Sequence, residues 1–484
     1  MTTTPQAGSY AVEGHSVDFI PVTERHGRAW HLGPFWFAEN QQFLTVITGL
    51  LAVVLGLNLL WAIVAIVVGN LVGTVFMAYH SAQGPKLGIP QMIQSRAQFG
   101  FYGAAFLFLA TFFLQFGFFA STAALSGETL NALDSGLSIP WAIALVAIPM
   151  TALAVLGYKW LHHWQQIGTV VFGVTIAVVT WQVGAEAVSH GLPSGSWSAT
   201  PPSFALFLVV VSIIAVYQIS WAPFVSDYSR YLPEQTTIRQ SFWWTYAGSA
   251  FSCVWLEILG CLVTVLLPKS GTAAAFGAIS GRWVLAVFAL SLIGAAATNL
   301  YCGMIALVTI LNTWKEVAKS VPLRVAGIGI TLVAGLIVAL DGYHSFLANF
   351  TNFLLVLLFI FVPWTAVNLT DFYLIRRGQY ETRSFFTPRG IYGGWGWQGL
   401  AAYFVGLGAE IPFIDQTLYV GPLAKALGGA DISWILGIFV PAFVYYAICR
   451  RYPPHMTIGP ASRARAVPAA GRSPAPGGGD PATH

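Results

Sequence analysis

Long apolar runs separated by short polar segments fill this chain between residues 35 and 449. A helix needs about 20 apolar residues to cross roughly 30 Å of hydrocarbon, and the pattern predicts twelve such spans. Their approximate ranges are 35 to 55, 57 to 79, 101 to 125, 139 to 158, 167 to 188, 204 to 225, 243 to 267, 283 to 311, 323 to 340, 348 to 372, 397 to 414 and 432 to 449.

Two of the spans carry polar interruptions. Span one contains Glu39, Asn40, Gln41 and Gln42 in succession, and span six contains YQISWAP, in which Pro223 lacks an amide donor. Non-helical backbone at membrane depth is tolerated only where protein or a polar cavity satisfies it. A simple kink is the alternative for Pro223 taken alone. The matching interruption in span one favours a binding site between the two.

The interrupted spans begin two groups of five, spans one to five and six to ten. Because five is odd, the second group must insert upside down relative to the first. This is the inverted-repeat arrangement of many secondary transporters, in which paired discontinuous helices hold substrate and coupling ion near the midplane. The pattern therefore predicts an all-α membrane protein with twelve transmembrane helices, a 5+5 inverted repeat and discontinuous helices 1 and 6.

Composition and charge support this topology. The chain is 56% hydrophobic and 8% charged, against roughly 45 to 50% and about 25% in soluble domains. With a cytoplasmic amino terminus, 19 of the 22 Lys and Arg residues face inside and only Lys269, Arg282 and Lys425 face outside. The positive-inside rule favours that orientation, in the cell membrane with both termini cytoplasmic. The net charge of +4 then belongs to loops facing anionic lipid and indicates no nucleic-acid partner.

The composition also predicts the domain organisation. Residues 1–28 and the Pro- and Gly-rich residues 453–484 are expected to be disordered, and residues 29–452 to form one transporter domain. Within it, repeat one covers about 33–188, repeat two about 204–375, and helices 11 and 12 about 397–449. Four Cys and ten His residues show no metal-ligand or catalytic spacing, so we predict no metal, cofactor or catalytic residue.

Four separated segments then carry a resemblance to a known family. They are SWAPFVSDYSRYLP at 220–233, GPKLGIPQMIQSRAQFGFYGA at 84–104, PWTAVNLTDFYLIRRGQY at 363–380 and ATNLY at 297–301. They resemble the purine-cytosine permease branch of the nucleobase-cation symporter family, from about residue 20 to 455. The resemblance implies a leucine-transporter-like fold that cotransports a small heterocycle with sodium or a proton. It also implies a substrate site between helices 1, 3, 6 and 8, with aromatic stacking and amide contacts.

The resemblance assigns the stacking position on helix 3 to Phe118. Gln115 and Thr122 share its helix face at spacings i, i+3 and i+7, so either could reach the polar edge of a ring lying on Phe118. An amide offers a donor and an acceptor side by side, which complements a nucleobase edge. The alternative for Phe118 is simple packing, because the same helix is rich in other Phe residues.

The other substrate contacts implied by the resemblance lie on helices 1, 6 and 8. They are Asn40 on helix 1, Gln218, Ser220 and Trp221 on helix 6, and Asn299 on helix 8. Gln218 departs from the family pattern, which has an aromatic ring there. Either the substrate is more polar, or Tyr217 or Trp221 takes the stacking role. Trp221 could equally be a packing residue.

The resemblance also implies a cation site formed by helix 1 carbonyls and helix 8. Ala38 and Gln41 are the candidates on helix 1, and Gly294 and Thr298 lie four apart on helix 8. Sodium-coupled relatives place two adjacent hydroxyl residues on helix 8. The first of these is Ala297 here, which weakens the case for sodium.

A proton could replace sodium if an acid lies close to the substrate. Glu39 in helix 1 and Glu257 in the middle of helix 7 are the candidates, because an intramembrane acid indicates a functional role by default. Glu257 could instead be neutral and hydrogen-bonded within the bundle.

These features predict a secondary active transporter that imports a nucleobase, cytosine or a purine, with a proton or sodium ion by alternating access. The alternative keeps the fold and changes the cargo to allantoin or a hydantoin, a nucleoside or a pyrimidine-based vitamin. An enzyme would need a catalytic pair within the membrane, and none of the ten His residues lies in mid-span. The expected partners are the heterocycle, the coupling cation and the lipid bilayer, with the protein acting as a monomer.

Overall fold

The computed structural model describes residues 18–315, 317 and 320–455. Most of the two segments expected to be disordered therefore lies outside the described residues. The described part of the amino-terminal segment packs on the protein: Ile20 is fully buried, and Arg25 donates hydrogen bonds to the carbonyls of Ile20 (3.1 Å) and Pro85 (2.7 Å).

Helices make up the structure, and we number those that correspond to the twelve spans. They are α1a (Leu32–Glu39) and α1b (Phe43–Val54), α2 (Leu59–Ser81), α3 (Ala105–Leu133), α4 (Ile139–Leu156), α5 (Tyr158–His190), α6a (Phe204–Ile219) and α6b (Val225–Ser229), α7 (Ile238–Leu266), α8 (Trp283–Trp314), α9 (Val321–Gly342), α10 (Phe346–Thr370), α11 (Trp397–Glu410) and α12 (Ser433–Arg451). Every predicted span is therefore found as a helix.

Shorter elements lie in the connections. The α2–α3 loop contains three single-turn helices, Gly84–Leu87, Gln91–Gln94 and Arg96–Phe99. The α7–α8 connection contains the helix Thr272–Ser280, and a two-stranded antiparallel sheet pairs Asp415–Gln416 with Tyr419–Val420 between α11 and α12. Short 3-10 turns occur at Val22–Glu24, Ala29–His31, Tyr343–Ser345, Thr382–Phe386 and Ile411–Phe413, and a π turn at Asp371–Ile375 follows α10.

Length and hydropathy alone identify fewer spans than twelve. Eight described helical segments are long and apolar enough to cross a membrane, or nine if the bent pair at α1 is one span. The segment Val321–Ile375 contains both α9 and α10, α6a is a shorter apolar helix, and α11 has 14 residues. Broken and short helices fail a length criterion. Twelve spans are recovered when α9 and α10 are counted separately and when broken α1, broken α6 and short α11 each count as one span.

The two predicted interruptions are real breaks. Helix α1 bends by 66° between Glu39 and Phe43, and Gln42 has an extended backbone (φ −137°, ψ 154°). Helix α6 is interrupted between Ile219 and Val225, around Pro223. Both breaks leave backbone groups outside regular helical bonding, and such groups need polar surroundings within the membrane.

Helices α1, α2, α6 and α7 pack very closely because glycines line their contacts. A Cβ atom added to Gly49 would lie 2.2 Å from the Glu257 backbone, and one on Gly73 would lie 2.3 Å from the Ala215 carbonyl oxygen. Small residues let membrane helices approach to backbone contact, where dispersion forces and interhelical hydrogen bonds hold them. These four helices therefore form a tight bundle, which we call the core bundle.

The buried carboxylate of Asp371 links the carboxyl-terminal helix α12 to other parts of the protein. Asp371, directly after α10, accepts hydrogen bonds from Gln98 Nε2 (2.6 Å), Tyr380 (2.8 Å) and Tyr445 (2.9 Å), and Arg376 Nε lies 3.2 Å away. Tyr445 belongs to α12 and Gln98 to the α2–α3 loop. Asp371 thereby ties three distant parts of the chain together.

Both described chain ends lie at the same face of the molecule. Arg230 donates to the Asp18 carbonyl (3.0 Å) and Arg376 to the His455 carbonyl (2.8 Å). The α2–α3 loop contacts both neighbourhoods, through Pro85 near the first end and Gln98 near the second. We call this face the terminal face. A chain that crosses the membrane an even number of times has both of its ends on the same side, as observed here.

Candidate binding cavity

A cavity of about 1010 Å³ lies between the two helix breaks. Its walls come from α1, α3, α5, α6 and α8. Tyr228 and Trp164, near the terminal face, belong to its lining. The broken segments of α1 and α6 therefore supply two of the walls, as their polar sequence predicts.

Ten of the fourteen predicted site residues line this cavity. They are Ala38, Glu39, Gln41, Gln115, Phe118, Ser220, Trp221, Gly294, Thr298 and Asn299. Four others, Asn40, Thr122, Gln218 and Glu257, lie outside the lining. The cavity thus joins residues that are up to 261 positions apart in the sequence, from Ala38 to Asn299.

Several polar side chains in the cavity have no partner in the protein. Gln115 is buried, with 4% of its surface exposed, yet neither its amide nor that of Asn299 forms a hydrogen bond with any described residue. The Gln41 Oε1 atom and the Trp221 indole nitrogen are also buried without a partner. A buried polar atom without a partner costs about 1 to 3 kcal/mol, which applies to the Gln41 and Trp221 atoms, while the Gln115 and Asn299 amides line the open space of the cavity. The cluster therefore favours a polar ligand that would bind these groups.

Aromatic rings form one side of the cavity. Phe118 contacts Phe353 edge-on, with ring centroids 5.2 Å apart, and Tyr217 with centroids 6.4 Å apart. The Tyr217 hydroxyl lies 2.8 Å from the Thr45 hydroxyl and accepts a hydrogen bond from Gln42 Nε2 at 3.3 Å. Tyr217 therefore places an aromatic ring beside the position where Gln218 departs from the family pattern. Edge-to-face contacts hold Phe118 while leaving a ring face for stacking.

Trp221 is held at the inner side of the α6 break. Its ring contacts Trp36 of α1a edge-on, at a centroid distance of 5.7 Å. Ser220 lines the cavity beside it, and its hydroxyl donates to the Tyr217 carbonyl at 2.7 Å. Both broken helices therefore meet through aromatic contact at the edge of the cavity.

Several of the groups expected to hold a cation already form hydrogen bonds. The Thr298 hydroxyl donates to the Gly294 carbonyl (3.0 Å) and accepts from Gln165 Nε2 (3.3 Å). The Ala38 carbonyl accepts the backbone amide of Gln41 at 3.0 Å. Sodium needs several oxygen ligands, and the side-chain amide of Gln165, rather than a second hydroxyl, lies beside Thr298.

Helix α5 contributes a wall that the sequence reasoning missed. Trp164, Gln165, Thr169 and Phe172 line the cavity. Trp164 packs directly on Gly294, where an added Cβ would lie 2.5 Å from its ring. Gln165, Thr169 and Phe172 are spaced i, i+4 and i+7, so they share one helix face, and this polar stripe is the signal that could have identified them. Gln42 and Tyr217 also line the cavity.

The four predicted residues outside the lining form hydrogen bonds with protein neighbours. The Thr122 hydroxyl donates to the Phe118 carbonyl of its own helix at 2.7 Å. Asn40, Gln218 and Glu257 belong instead to a chain of side chains that also contains Asn70 and Ser249. We call these five residues the buried network. All of them have 0% exposed surface.

Phenylalanine rings close the cavity on the side away from the terminal face. Phe43 of α1b stacks on Phe288 of α8 with centroids 4.1 Å apart, and Phe276 of the helix Thr272–Ser280 contacts both at 5.4 Å. Phe172, which lines the cavity, contacts Phe288 at 5.6 Å. These four rings are buried, so the cavity is sealed at this end.

Comparisons with known proteins agree on one family. A family profile described as "Permease for cytosine/purines, uracil, thiamine, allantoin" matches residues 19–437. The Bacillus subtilis protein named "Putative purine-cytosine permease YxlA" is 38% identical over 458 residues, which cover 91% of this chain and 96% of that protein. The purine-cytosine permease fcyB of Emericella nidulans is 23% identical over 470 residues, covering 91% and 89%.

A solved structure shares the fold. Mhp1, a nucleobase-cation-symport-1 family transporter in a closed conformation with bromovinylhydantoin bound, matches with a TM-score of 0.71 at 16% identity. The match covers 93% of this chain and 98% of that one. The predicted twelve-helix arrangement with a leucine-transporter-like inverted repeat is therefore confirmed.

Proposed function

The chain belongs to the purine-cytosine permease branch of the nucleobase-cation symporters, which makes it a secondary transporter rather than an enzyme, and we propose that it imports cytosine or a purine with a proton. The observation that carries the substrate proposal is the pair of unpartnered amides, Gln115 and Asn299, beside the Phe118 ring. A flat base stacks on an aromatic ring for about 1 to 3 kcal/mol, with little dependence on the base. The two amides then read its donor and acceptor edge.

Related cargoes are the second candidate. The family profile names uracil, thiamine and allantoin, and Mhp1 binds a bromovinylhydantoin. All of these share an amide-like or amidine-like edge, which an amide side chain could bind in the same way. Nucleosides present the same base edge and add a sugar.

Proton coupling is favoured over sodium by the surroundings of Thr298. Its hydroxyl is used by Gly294 and Gln165, and the neighbouring position is Ala297 instead of a second hydroxyl. Glu39 in the cavity wall and Glu257 in the core bundle are the two intramembrane carboxyls that could carry the proton. No other cofactor is required by this mechanism.

The distribution of Lys and Arg residues supports a cellular location and an orientation in the membrane. The terminal face carries most of the Lys and Arg residues, which supports a cell-membrane protein with both ends in the cytoplasm. In that orientation the cavity reaches toward the cytoplasm and the four Phe rings close it from outside. A monomer suffices, because one chain supplies every wall of the cavity.

Uptake into proteoliposomes tests these proposals. Purified protein is reconstituted and given radiolabelled cytosine, with unlabelled adenine, guanine, uracil, allantoin and cytidine as competitors. A proton gradient and a sodium gradient are imposed separately. We expect cytosine or purine uptake driven by protons alone. Competition by allantoin or cytidine at lower concentrations than adenine or cytosine would favour the second candidate, and sodium-driven uptake would contradict proton coupling.

A further inference from the structure

Glu257 is a buried acid that the substrate cavity does not use. It lies in the middle of α7 with 0% of its surface exposed, and it does not line the cavity. Its Oε2 atom accepts one hydrogen bond, from Asn70 Nδ2 at 2.5 Å, and its Oε1 atom has no partner among the described residues. A carboxylate accepts several hydrogen bonds, so one donor leaves the ionised form poorly satisfied.

The charged and titratable surroundings of Glu257 do not compensate an ionised carboxylate. No described Lys, Arg or His forms an ion pair with it. The titratable groups that face it are Cys253 and Cys261 on its own helix and Tyr217 on α6a. From α1b it meets the Gly49 backbone, and from α2 the amide of Asn70. All of these groups are uncharged at neutral pH. The packing shown therefore suits a protonated Glu257.

The buried network links Glu257 to both helix breaks. Asn70 Oδ1 accepts from Gln218 Nε2 at 2.8 Å, and Gln218 Oε1 accepts from the Ser249 hydroxyl at 2.7 Å. Asn40 Nδ2 donates to the Ser249 hydroxyl at 2.8 Å. Gln218 lies two residues before the α6 break at Ser220, and Asn40 lies within the α1 break. A single chain of hydrogen bonds thus connects one acid with the breaks of both α1 and α6.

The direction of this chain depends on the charge of Glu257. An ionised Glu257 accepts from the Asn70 amide nitrogen, and each following amide donates towards Glu257. A protonated Glu257 can donate to Asn70, whose amide then turns over and donates to Gln218. The Gln218 amide then also rotates, so that its nitrogen donates to the Ser249 hydroxyl. The Ser249 hydroxyl in turn donates to Met77 Sδ, 3.6 Å away. Amide oxygen and nitrogen have the same shape, but turning the Asn70 amide over also breaks its hydrogen bond to the Ile66 carbonyl (3.0 Å), so the two directions differ in energy.

We infer that Glu257 binds the coupling proton, and that the buried network transmits its charge to the breaks of α1 and α6. This inference rests on the proposed function, because it names the proton site of that transport reaction. One proton passes from water to the Glu257 carboxylate and back, and no other bond is made or broken. Loss of the proton leaves a charge with one donor, which disfavours the closely packed core bundle seen here. Proton binding thereby selects one arrangement of the two breaks.

The test compares wild type with Glu257→Gln in proteoliposomes. Glutamine is neutral and keeps the size of a protonated Glu. For one proton per substrate, one pH unit supports about tenfold accumulation in wild type. We expect Glu257→Gln to show an accumulation ratio close to one at any pH gradient, while it still exchanges internal for external substrate. Uptake of a proton on substrate binding, followed with a pH dye in weakly buffered detergent solution, should be lost in the same variant.

Two further variants complete the experiment. Glu410→Gln removes another fully buried acid, on α11 and outside the network, and we expect it to accumulate substrate as wild type does. Asn70→Leu cuts the chain while leaving Glu257 in place, and we expect it to lose gradient-driven accumulation. It also provides the test if Glu257→Gln does not fold.

The outcomes separate this inference from the proposed function. Wild-type protein that imports no heterocycle would overturn the proposed function before any variant is measured. Proton-driven uptake in wild type that is equally strong and equally pH-dependent in Glu257→Gln would overturn the inference alone. Loss of accumulation in Glu39→Gln with none in Glu257→Gln would overturn it as well, by assigning the proton to the cavity acid.

Discussion

The cavity and the buried network are two polar regions of the same membrane domain, and the α6 break runs between them. In the cavity, the amides of Gln115 and Asn299 have no partner among the described residues. In the network, Asn70 and Gln218 are hydrogen-bonded to each other and onward to Glu257 and Ser249. The residue types are the same. Only the packing around them differs.

This difference separates binding from structure. A buried amide that its neighbours satisfy stabilises helix association, whereas one left without partners favours a ligand that will satisfy it. Substitutions in the network should therefore lower stability or coupling, and substitutions in the cavity should lower substrate affinity.

Two glycines give the strongest contrast. A methyl group on Gly49 would meet the Glu257 backbone at 2.2 Å, which cannot move without separating α1b from α7. We expect Gly49→Ala to lower the free energy of unfolding by about 3 kcal/mol or more. The methyl group of Gly294→Ala meets only the Trp164 side chain, which can rotate. This variant should keep its thermal stability in detergent and lose substrate affinity, and equal losses of stability in both would contradict the comparison.

Gln218→Leu should lower the stability of the protein more than its affinity for substrate. It leaves the Asn70 Oδ1 atom without its donor, at about 1 to 3 kcal/mol, whereas the Ser249 hydroxyl keeps its bond from Asn40 and can turn to Met77 Sδ. Thermal unfolding followed by size-exclusion fluorescence measures the loss. Substrate affinity of the remaining folded protein, from equilibrium binding, should change much less. A large fall in affinity with unchanged stability would return Gln218 to the substrate site.

Gln115→Ala should produce the opposite result. Loss of an amide that reads the edge of a base costs about 1 to 3 kcal/mol, or roughly 5- to 150-fold in affinity. Thermal stability should be unchanged, because the amide has no protein partner to lose. Thr122→Ala is the matched control on the same helix, since its hydroxyl bonds only to the Phe118 carbonyl. Wild-type affinity in Gln115→Ala would remove α3 from the site.

Phe118→Leu should weaken binding by a smaller factor. Leucine keeps most of the volume but loses the flat face, at about 1 kcal/mol, or roughly fivefold in affinity. Phe118→Trp should restore or improve binding because it enlarges the stacking surface. Equilibrium binding of cytosine and adenine measures both variants. Equal affinities for Leu, Phe and Trp at this position would identify Phe118 as a packing residue.

Thr298→Ala should have the smallest effect of these substitutions, because we expect it to leave the ion dependence of uptake unchanged. Its hydroxyl is already bonded to Gly294 and Gln165, so its removal takes away no sodium ligand. We expect uptake to remain independent of sodium in wild type and variant alike, measured with sodium or choline as the external cation. Sodium-stimulated transport that disappears in Thr298→Ala would contradict proton coupling.

The sequence predicts the helices and breaks well because hydrocarbon thickness and backbone satisfaction leave few choices. Every apolar run became a helix, and both polar interruptions became breaks. The start of span five was the largest error, at 167 instead of Tyr158. The polar stretch YKWLHHWQQ lies outside an apolar window although it continues the helix, and the missed cavity residues Trp164 and Gln165 belong to it.

The identity of site residues is less predictable than their helices. Asn40 and Gln42 lie two positions apart in the α1 break, yet Gln42 lines the cavity and Asn40 bonds to Ser249. Gln115 and Thr122 share a helix face, and only Gln115 reaches the cavity. The deciding partners lie on other helices, about 200 residues away in the case of Ser249, so no local pattern contains them.

The Asp371 cluster has a consequence for how the chain could be shortened. Helices α11 and α12 stand outside the two repeats, which suggests an optional extension. However, the α12 hydroxyl of Tyr445 is one of the donors that Asp371 needs, next to the Arg376 guanidinium. A ten-helix protein cut before α11 would keep Arg376, Gln98 and Tyr380 around Asp371 but would lose the Tyr445 donor. The last two helices therefore support the end of α10, and their removal would leave this buried carboxylate with one donor fewer.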